Sequence, residues 1–315
     1  MEKVRLGKSE LWVSKLCFGS LTVSPLQANY SVDQAGDLIA FALQKGINFI
    51  DTADLYQNYE QIRNGIKKAK ISPVLCTKSY DYEWDGAKDN LEKARRMLDR
   101  DVIDLFMLHE QESIHTLRGH KPALDYLLEA KQKGLIKAIG ISTHFVSGVY
   151  GALSFKEIDV IHPILNFRGL GIVDGTIEEM ETALKEAKHE DLGIFAMKPL
   201  GGGNLIGLRD RAFSYIKGKP MIDSIAIGMQ SEEEILYNIR RINGQSVSEE
   251  LKRATKNKKR SLHIDEWCVK CGKCVETCPQ EALTIGPEKA VVDPDKCVLC
   301  AYCSAACPEF CIKVV

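Results

Sequence analysis

The sequence lacks the features that would place the protein on a membrane or on nucleic acid. It has no apolar run of the roughly 18 residues needed to span a bilayer, and its first residues, MEKVRLGKSE, are too polar for a signal peptide. Its 42 Lys and Arg residues nearly equal its 43 Asp and Glu residues, so no strong field favours nucleic acid or anionic lipid. We therefore expect a cytoplasmic protein with neither kind of partner.

Cysteine is scarce over most of the chain and dense at its end. Of the 11 cysteines, only Cys17 and Cys76 precede Cys268. Both lie in apolar segments that resemble strands, where cysteine usually acts as a small hydrophobic residue. In a reducing cytoplasm, the cluster from Cys268 to Cys311 indicates metal or redox chemistry rather than a set of disulfides, and 11 is an odd number for pairing.

The first 245 or so residues alternate apolar runs with segments of helical period. Eight runs are apolar enough to be buried on both faces, as strands of a parallel sheet are. Eight βα units predict an α/β fold of the closed (β/α)8 TIM-barrel type. A doubly wound sheet is the alternative, but no GxGxxG follows the first strand. The eight runs are KLCFGS, INFIDTA, PVLCTKS, VIDLFMLH, IKAIGIST, VIHPILNF, GIFAMKPL and SIAIGM.

Polar residues stand at the ends of three successive strands of this barrel. The second strand ends at Asp51, with Tyr56 on the loop after it; the third ends at Lys78 and the fourth at His109. Taken singly, each has an ordinary structural explanation as a helix cap, a solvated side chain or a buried core residue. Because active sites of such barrels lie at the carboxyl ends of the strands, together they predict a site at one mouth.

These segments resemble the aldo-keto reductase family. FIDTADLYQNYEQIRNGIK, VLCTKSY and VIDLFMLHE resemble the family's strands that carry its Asp and Tyr, its Lys and its His, and RLGKSELWVSKLCFGS resembles its opening hairpin and first strand. The resemblance implies reduction of a small aldehyde or ketone by NAD(P)H, with Tyr56 as proton donor. Lys78 would lower the pKa of Tyr56. Asp51 would orient Lys78. His109 would hydrogen-bond the substrate oxygen.

The same resemblance implies a set of nucleotide contacts. Ser142 in GISTHF and Asn166 in HPILN would hold the nicotinamide carboxamide, and Met197 would cover the ring where many members have Tyr. The glycines at 201–203 would let backbone amides approach the pyrophosphate, or would simply form a flexible loop. The predicted contacts are Ser142, Asn166, Met197, Pro199, Leu200, Gly201, Gly228, Gln230, Ser231, Glu234 and Asn238.

The turn GMQSEEEILYN resembles the family's adenosine-binding turn and bears on the choice of nucleotide. Members that prefer NADPH place Lys or Arg here for the 2'-phosphate, whereas this turn offers Gln230, Glu232, Glu233 and Glu234. Carboxylates repel a phosphate and accept hydrogen bonds from a ribose hydroxyl. The turn therefore favours NADH over NADPH.

The end of the chain contains the same cysteine motif twice. CVKCGKCVETCP begins at Cys268 and CVLCAYCSAACP begins 29 residues later, and both have the form CxxCxxCxxxCP. This pattern resembles the bacterial two-cluster ferredoxins. Zinc is the rival, but structural zinc sites use two separated pairs of ligands and leave the third cysteine and the proline unexplained. We therefore expect two 4Fe-4S clusters.

The ferredoxin resemblance also implies the ligands, because in that pattern the fourth cysteine of each motif binds the other cluster. Cys311 is left without a role. We expect a barrel of residues 1–261 and a small α+β ferredoxin-like domain of residues 262–315, with ALTIG and AVVDP as strands. The first cluster would take Cys268, Cys271, Cys274 and Cys307, and the second Cys297, Cys300, Cys303 and Cys278.

Three functions remain open at this point. The first is a carbonyl reductase whose clusters relay electrons or cap the pocket. The second is an electron-transfer protein whose barrel docks a redox partner protein, and the third is a regulatory or binding subunit. Nicotinamide exchanges two electrons as hydride and a cluster exchanges one, so direct coupling needs an intermediary such as a flavin, for which no motif is evident. The complete set of strand-end residues favours the reductase.

Overall fold

The computed structural model describes residues 1–256 and 260–315. Its main body is a closed barrel of eight parallel strands in the order β10-β3-β4-β5-β6-β7-β8-β9. The predicted (β/α)8 barrel is confirmed, and each of the eight predicted apolar runs contains one of its strands. These are β3 (Leu16–Gly19), β4 (Phe49–Asp51), β5 (Val74–Ser79), β6 (Ile103–Leu108), β7 (Ile136–Thr143), β8 (Val160–Pro163), β9 (Gly193–Met197) and β10 (Ser224–Gly228).

Helices surround the barrel, and local sequence determines several of their ends. Ser31 and Gln34 form a capping box at the start of the first helix, and Gly46, with φ of +91°, follows its end, as the sequence predicts for a C-terminal glycine. The helices are α1 (Val32–Gln44), α2 (Tyr59–Ala69), α3 (Trp84–Leu98), α4 (Ile114–Gly119), α5 (Lys121–Gln132), α6 (Val146–Leu153), α7 (Ile177–His189), α8 (Arg209–Lys217), α9 (Glu232–Ile242) and α10 (Glu249–Lys256).

The barrel strands alternate between two apolar layers. Outward side chains such as Ile50 and Ile194 pack under the helices. Inward ones, including Phe49 and Phe195, fill the barrel, and Cys17 and Cys76 are fully buried among them, as expected of small hydrophobic residues. The hairpin β1 (Lys3–Arg5) and β2 (Trp12–Ser14) closes one end of the barrel. The other end, where the strands terminate, is left open for the site.

A small α+β unit follows the barrel. Two antiparallel pairs, β11 with β14 and β12 with β13, enclose two short helices and a core that contains three cysteines. The predicted strands ALTIG and AVVDP contain β12 and β13. The elements are β11 (Leu262–Ile264), α11 (Lys273–Thr277), β12 (Leu283–Ile285), β13 (Ala290–Val292), α12 (Tyr302–Ala306) and β14 (Ile312–Val314).

The basic run KRATKNKKR, at 252–260, is predicted to be a solvated helix or a linker. Its first residues belong to α10, whereas residues 257–259 lie outside the described part of the chain. Within residues 1–256 and 260–315, no helix is both long enough and apolar enough to cross a membrane. The division of the chain at residue 261 stays a prediction.

Candidate active site

The strand-end residues predicted from the sequence meet at the open mouth of the barrel. Lys78, on β5, donates hydrogen bonds to Asp51 Oδ1 at 2.6 Å and to the backbone oxygen of Thr52 at 2.7 Å. Lys78 and Asp51 are both buried. Burial alone would lower the pKa of Lys78, but Asp51, Tyr56 and Cys76 together raise it above its ordinary value. Lys78 is therefore a buried and stably charged ammonium group.

Tyr56 ends a single 3-10 turn just after β4, which brings its ring over this ammonium group. Lys78 Nζ lies 5.2 Å from the ring centroid. The sequence led us to expect a lowered pKa for Tyr56. The structure shows the opposite, because burial raises the pKa and Lys78 only partly offsets it, while Asp51 and Glu110 raise it further. Tyr56 is therefore held in its protonated form.

His109 follows β6 and faces Tyr56 edge-on, with the ring centroids 6.1 Å apart. Tyr80 stacks on the other side of the imidazole at 4.3 Å and donates a hydrogen bond to Glu110. Burial lowers the pKa of His109, and Lys78 and Lys198 add to this effect, so the ring is neutral. Among the described residues, its buried Nδ1 atom has no hydrogen-bond partner. Such an orphaned polar atom fits a substrate oxygen.

His162, at the end of β8, belongs to the same site and was missed by the sequence reasoning. Its Nε2 atom lies 3.8 Å from Asp51 Oδ2, its Nδ1 atom is 2.6 Å from the backbone oxygen of Phe195, and its ring stacks on Phe195 at 3.8 Å. Burial lowers its pKa to about 4. The neutral ring lies near Asp51 Oδ2, the carboxylate oxygen that Lys78 does not bond. Its position at a strand end was the signal that could have revealed it.

A cavity lined by Asp51, Tyr56 and His162 extends across the barrel mouth. Of the predicted nucleotide contacts, six line it: Met197, Pro199, Leu200, Gly228, Gln230 and Glu234. Thr22 also lines the cavity, and its buried hydroxyl has no partner among the described residues. An unsatisfied polar group at this position fits a hydrogen bond to a bound nucleotide.

The other predicted nucleotide contacts do not line this cavity. Ser142 accepts a hydrogen bond from the backbone N–H of Glu110, and the amide of Asn166 bonds to the backbone of its own loop. Ser231 caps α9, and Asn238 is buried on that helix. Gly201 packs against leucine side chains. Their contact with a nucleotide stays a prediction.

Two unpredicted cations line the same cavity. Arg260, just before β11, lies with its Nη2 atom 2.6 Å from Glu234 Oε1. Lys198, just after β9, has a left-handed backbone with φ of +54° and lies 2.9 Å from His144 Nε2. Burial lowers its pKa to about 7, with a further contribution from the nearby Lys313. Because Arg260 pairs with Glu234, the predicted adenosine-binding turn carries less negative charge than the sequence alone indicates.

The cysteines of the tail surround two separate cavities. In both, the fourth cysteine comes from the other motif, as the ferredoxin pattern predicts. Cys311 is a fifth cysteine at the first cavity, with its Sγ 3.4 Å from Cys307 Sγ. The first cavity is lined by Cys268, Cys271, Cys274 and Cys307, and the second by Cys278, Cys297, Cys300 and Cys303.

The backbone around the two cavities repeats with the motif. Lys270 and Leu299 occupy equivalent positions and both have positive φ, as do Gly272 and Ala301. Within the described residues, no three Cys, His, Asp or Glu side chains are close enough to hold a single metal ion. Each cavity presents four cysteines of the twin motifs, the number of protein ligands that a 4Fe-4S cluster takes.

Comparison with known proteins identifies both regions. Residues 15–249 match the model of the aldo/keto reductase family, and residues 267–311 match the 4Fe-4S dicluster domain. The chain therefore belongs to the aldo/keto reductase family. It is an oxidoreductase of that type with a C-terminal iron–sulfur domain, which confirms the family and fold predicted from the sequence.

Individual relatives are distant. The chain is 23% identical over 304 residues to the uncharacterized oxidoreductase YqkF of Bacillus subtilis, covering 79% of this chain and 94% of that protein. It is 26% identical over 235 residues to the chloroplastic pyridoxal reductase of Arabidopsis thaliana, covering 65% of this chain and 61% of that one. The holo form of aldo-keto reductase AKR11C1 from Bacillus halodurans has the same fold, with a TM-score of 0.65 and 21% identity. The match covers 81% of this chain and 95% of that one.

Proposed function

We propose that this protein reduces a small aldehyde or ketone with NAD(P)H, with Tyr56 as the proton donor. The observation that carries the proposal is the meeting of Tyr56 with the Lys78–Asp51 pair at the cavity, beside the orphaned Nδ1 atom of His109. A nicotinamide bound in this cavity would supply the hydride. The residues of the chain would position the carbonyl group and deliver the proton.

Each side chain has a defined part in this proposal. His109 would orient the carbonyl oxygen through a hydrogen bond, with the ring plane set by Tyr80. Tyr56 holds its proton in the free protein, and the ammonium group of Lys78 would stabilise the phenolate that remains after the proton is donated. Asp51 keeps Lys78 charged and in place. Catalysis by such proton donation typically contributes a factor of about 10² to 10⁴.

The iron–sulfur tail, proposed as residues 262–315, would hold two 4Fe-4S clusters on the crossed ligand sets described above. β14 separates the first cysteine cavity, which Ile312 lines, from the cavity at the barrel mouth, which Lys313 and Val314 line. This closeness favours a role as electron relay, and it also supports the alternative of an electron-transfer protein that docks a redox partner. Since a cluster transfers single electrons, exchange with a nicotinamide would require a flavin-like intermediary.

The nucleotide proposed is NADH, with a weak preference over NADPH. Glu234 lines the cavity and accepts from the backbone N–H of Gln230 at 2.8 Å. Arg260 pairs with the same carboxylate at 2.6 Å. Because this cation offsets the repulsion between Glu234 and a 2'-phosphate, we expect the two dissociation constants to differ by less than about tenfold.

The test of catalysis is Tyr56→Phe in anaerobically purified protein, assayed for NADH oxidation with a panel of aldehydes and ketones. We expect turnover to fall at least about 100-fold, because only the donated proton is removed, while NADH affinity and iron content stay unchanged. Tyr150→Phe, an exposed tyrosine of α6, is the matched control and should keep full turnover. Undiminished turnover in Tyr56→Phe would contradict the proposal.

A further inference from the structure

Strand β14 of the iron–sulfur tail packs directly on the loop that follows β9 of the barrel. The backbone N–H of Val314 donates to the oxygen of Gly202 at 3.0 Å, and Asn204 donates to the backbone oxygen of Ile312 at 3.1 Å. A Cβ atom at Gly203, whose φ is +89°, would lie 1.9 Å from the oxygen of Val314. The glycines of this loop therefore make room for the tail.

This contact brings two lysines to one wall of the cavity at the barrel mouth. Lys198 comes from the barrel loop and Lys313 from β14, and both line the cavity. Lys313 is only 3% exposed, and its Nζ atom lies 3.9 Å from the centroid of the Phe310 ring. Lys198 Nζ lies 5.3 Å from the same ring on the barrel side. The wall is thus built jointly by the two regions of the chain.

The two lysines at this wall have few acidic partners at short distance. Lys313 has one acidic neighbour, Asp265, with its Oδ2 atom at 3.4 Å. Lys198 bonds to His144, whose ring is neutral because burial and the two lysines lower its pKa. Among the described residues, no carboxylate lies within salt-bridge distance of Lys198. At ion-pair distance the two lysines therefore have one carboxylate between them, and an anion bound in the cavity would favour the charged form of Lys198, whose pKa burial lowers to about 7.

We propose that Lys313 and Lys198 together bind the diphosphate of the nucleotide, so that the iron–sulfur tail supplies part of the cofactor site. This inference rests on the proposed function, since it takes the cavity to hold a dinucleotide. Ammonium groups bind phosphate oxygens through charge-assisted hydrogen bonds. The left-handed backbone of Lys198 is a strained conformation of the kind found at ligand sites. An anionic group of the carbonyl substrate is the other source of the same chemistry.

The test is a binding titration of the iron-loaded protein with NADH, ADP-ribose and adenosine, followed by calorimetry. In Lys313→Gln, we expect the dissociation constants of NADH and ADP-ribose to rise about tenfold or more, since a hydrogen bond to a charged group is lost. Adenosine, which has no diphosphate, should bind as before. Lys198→Gln should show the same selectivity without altering the tail. Lys296→Gln, an exposed lysine of the tail, is the matched control.

Three outcomes would overturn the inference. In the first, the variants bind adenosine and ADP-ribose equally more weakly. In the second, Lys313→Gln loses iron while Lys198→Gln binds ADP-ribose normally. Either result would show that the lysines act only on folding. In the third, the lysine variants bind ADP-ribose as the wild type does but have a raised KM for an anionic carbonyl substrate. This result would show that Lys313 and Lys198 bind the substrate instead. If wild-type protein binds NADH normally yet reduces no carbonyl compound, it is the proposed function that fails and not this inference.

Discussion

The barrel and the iron–sulfur tail are stabilised by different means. The barrel has two apolar layers, one between the strands and the helices and one inside the barrel. The tail has a core of nine buried residues, and Cys274, Cys303 and Cys311 are three of them. A unit of this size buries too little apolar surface to be stable alone. The barrel's fold therefore comes from its own residue pattern, whereas the tail depends on what its cysteines hold.

Removal of iron should affect the two regions most differently. On anaerobic treatment with an iron chelator, we expect the chain after about residue 262 to become sensitive to protease, because folding and metal binding are coupled in so small a unit. The barrel should keep its far-ultraviolet circular dichroism and its resistance to protease. Mass spectrometry of the fragments locates the cuts. A tail that stays resistant without iron would show that its apolar core suffices.

A substitution of one cysteine should affect one cluster and not the other. If the ligands cross between motifs, Cys278→Ala should damage the cluster held by Cys300 and leave that held by Cys271, because Cys278 lines the second cavity. The electron paramagnetic resonance spectrum of the reduced protein should therefore match that of Cys300→Ala. Iron content should fall from about eight atoms per chain toward four.

Cys311→Ala is the matched control for this experiment, since Cys311 is the additional cysteine at the first cavity. It should keep about eight irons, because the four predicted ligands remain. A spectrum of Cys278→Ala that matches Cys271→Ala instead would show local ligation, and the ferredoxin interpretation of the twin motifs would be wrong.

The smallest expected effect lies where barrel and tail meet at the adenosine turn. Removing Arg260 exposes the charge of Glu234, so Arg260→Ala should raise the dissociation constant of NADPH about three- to fivefold more than that of NADH. Fluorescence titration with both nucleotides measures this. Arg253→Ala, an exposed arginine of α10, should change neither. Equal changes for both nucleotides would show that Arg260 does not act near the 2' position.

Much of the fold could be predicted because it depends on local patterns. Eight apolar runs are enough to indicate eight buried strands, and Asp51, Lys78 and His109 stand at strand ends whatever the details of packing. The two CxxCxxCxxxCP motifs likewise indicate their own chemistry, because the spacing alone determines which cysteines share a turn. These features need no knowledge of which residues meet across the fold.

The electrostatics of the site could not be predicted in the same way. The sequence indicated that Lys78 would lower the pKa of Tyr56, yet burial of the phenol outweighs that effect. The sequence also indicated an acidic adenosine turn, yet Arg260 lies against Glu234. In both places the balance of burial and charge depends on groups that are distant along the chain, and the preference for NADH stays a prediction.

Periodicity and short motifs are properties of neighbouring residues. The sequence was therefore sufficient to indicate the barrel, the order of its strands, the residues at their ends and the spacing of the cysteines. Only the tertiary structure decided that Lys313 lies beside Lys198. It also decided that the glycines after β9 face the tail rather than open solvent. These contacts join residues more than 100 positions apart, and packing of the two regions against each other, not local pattern, brings them together.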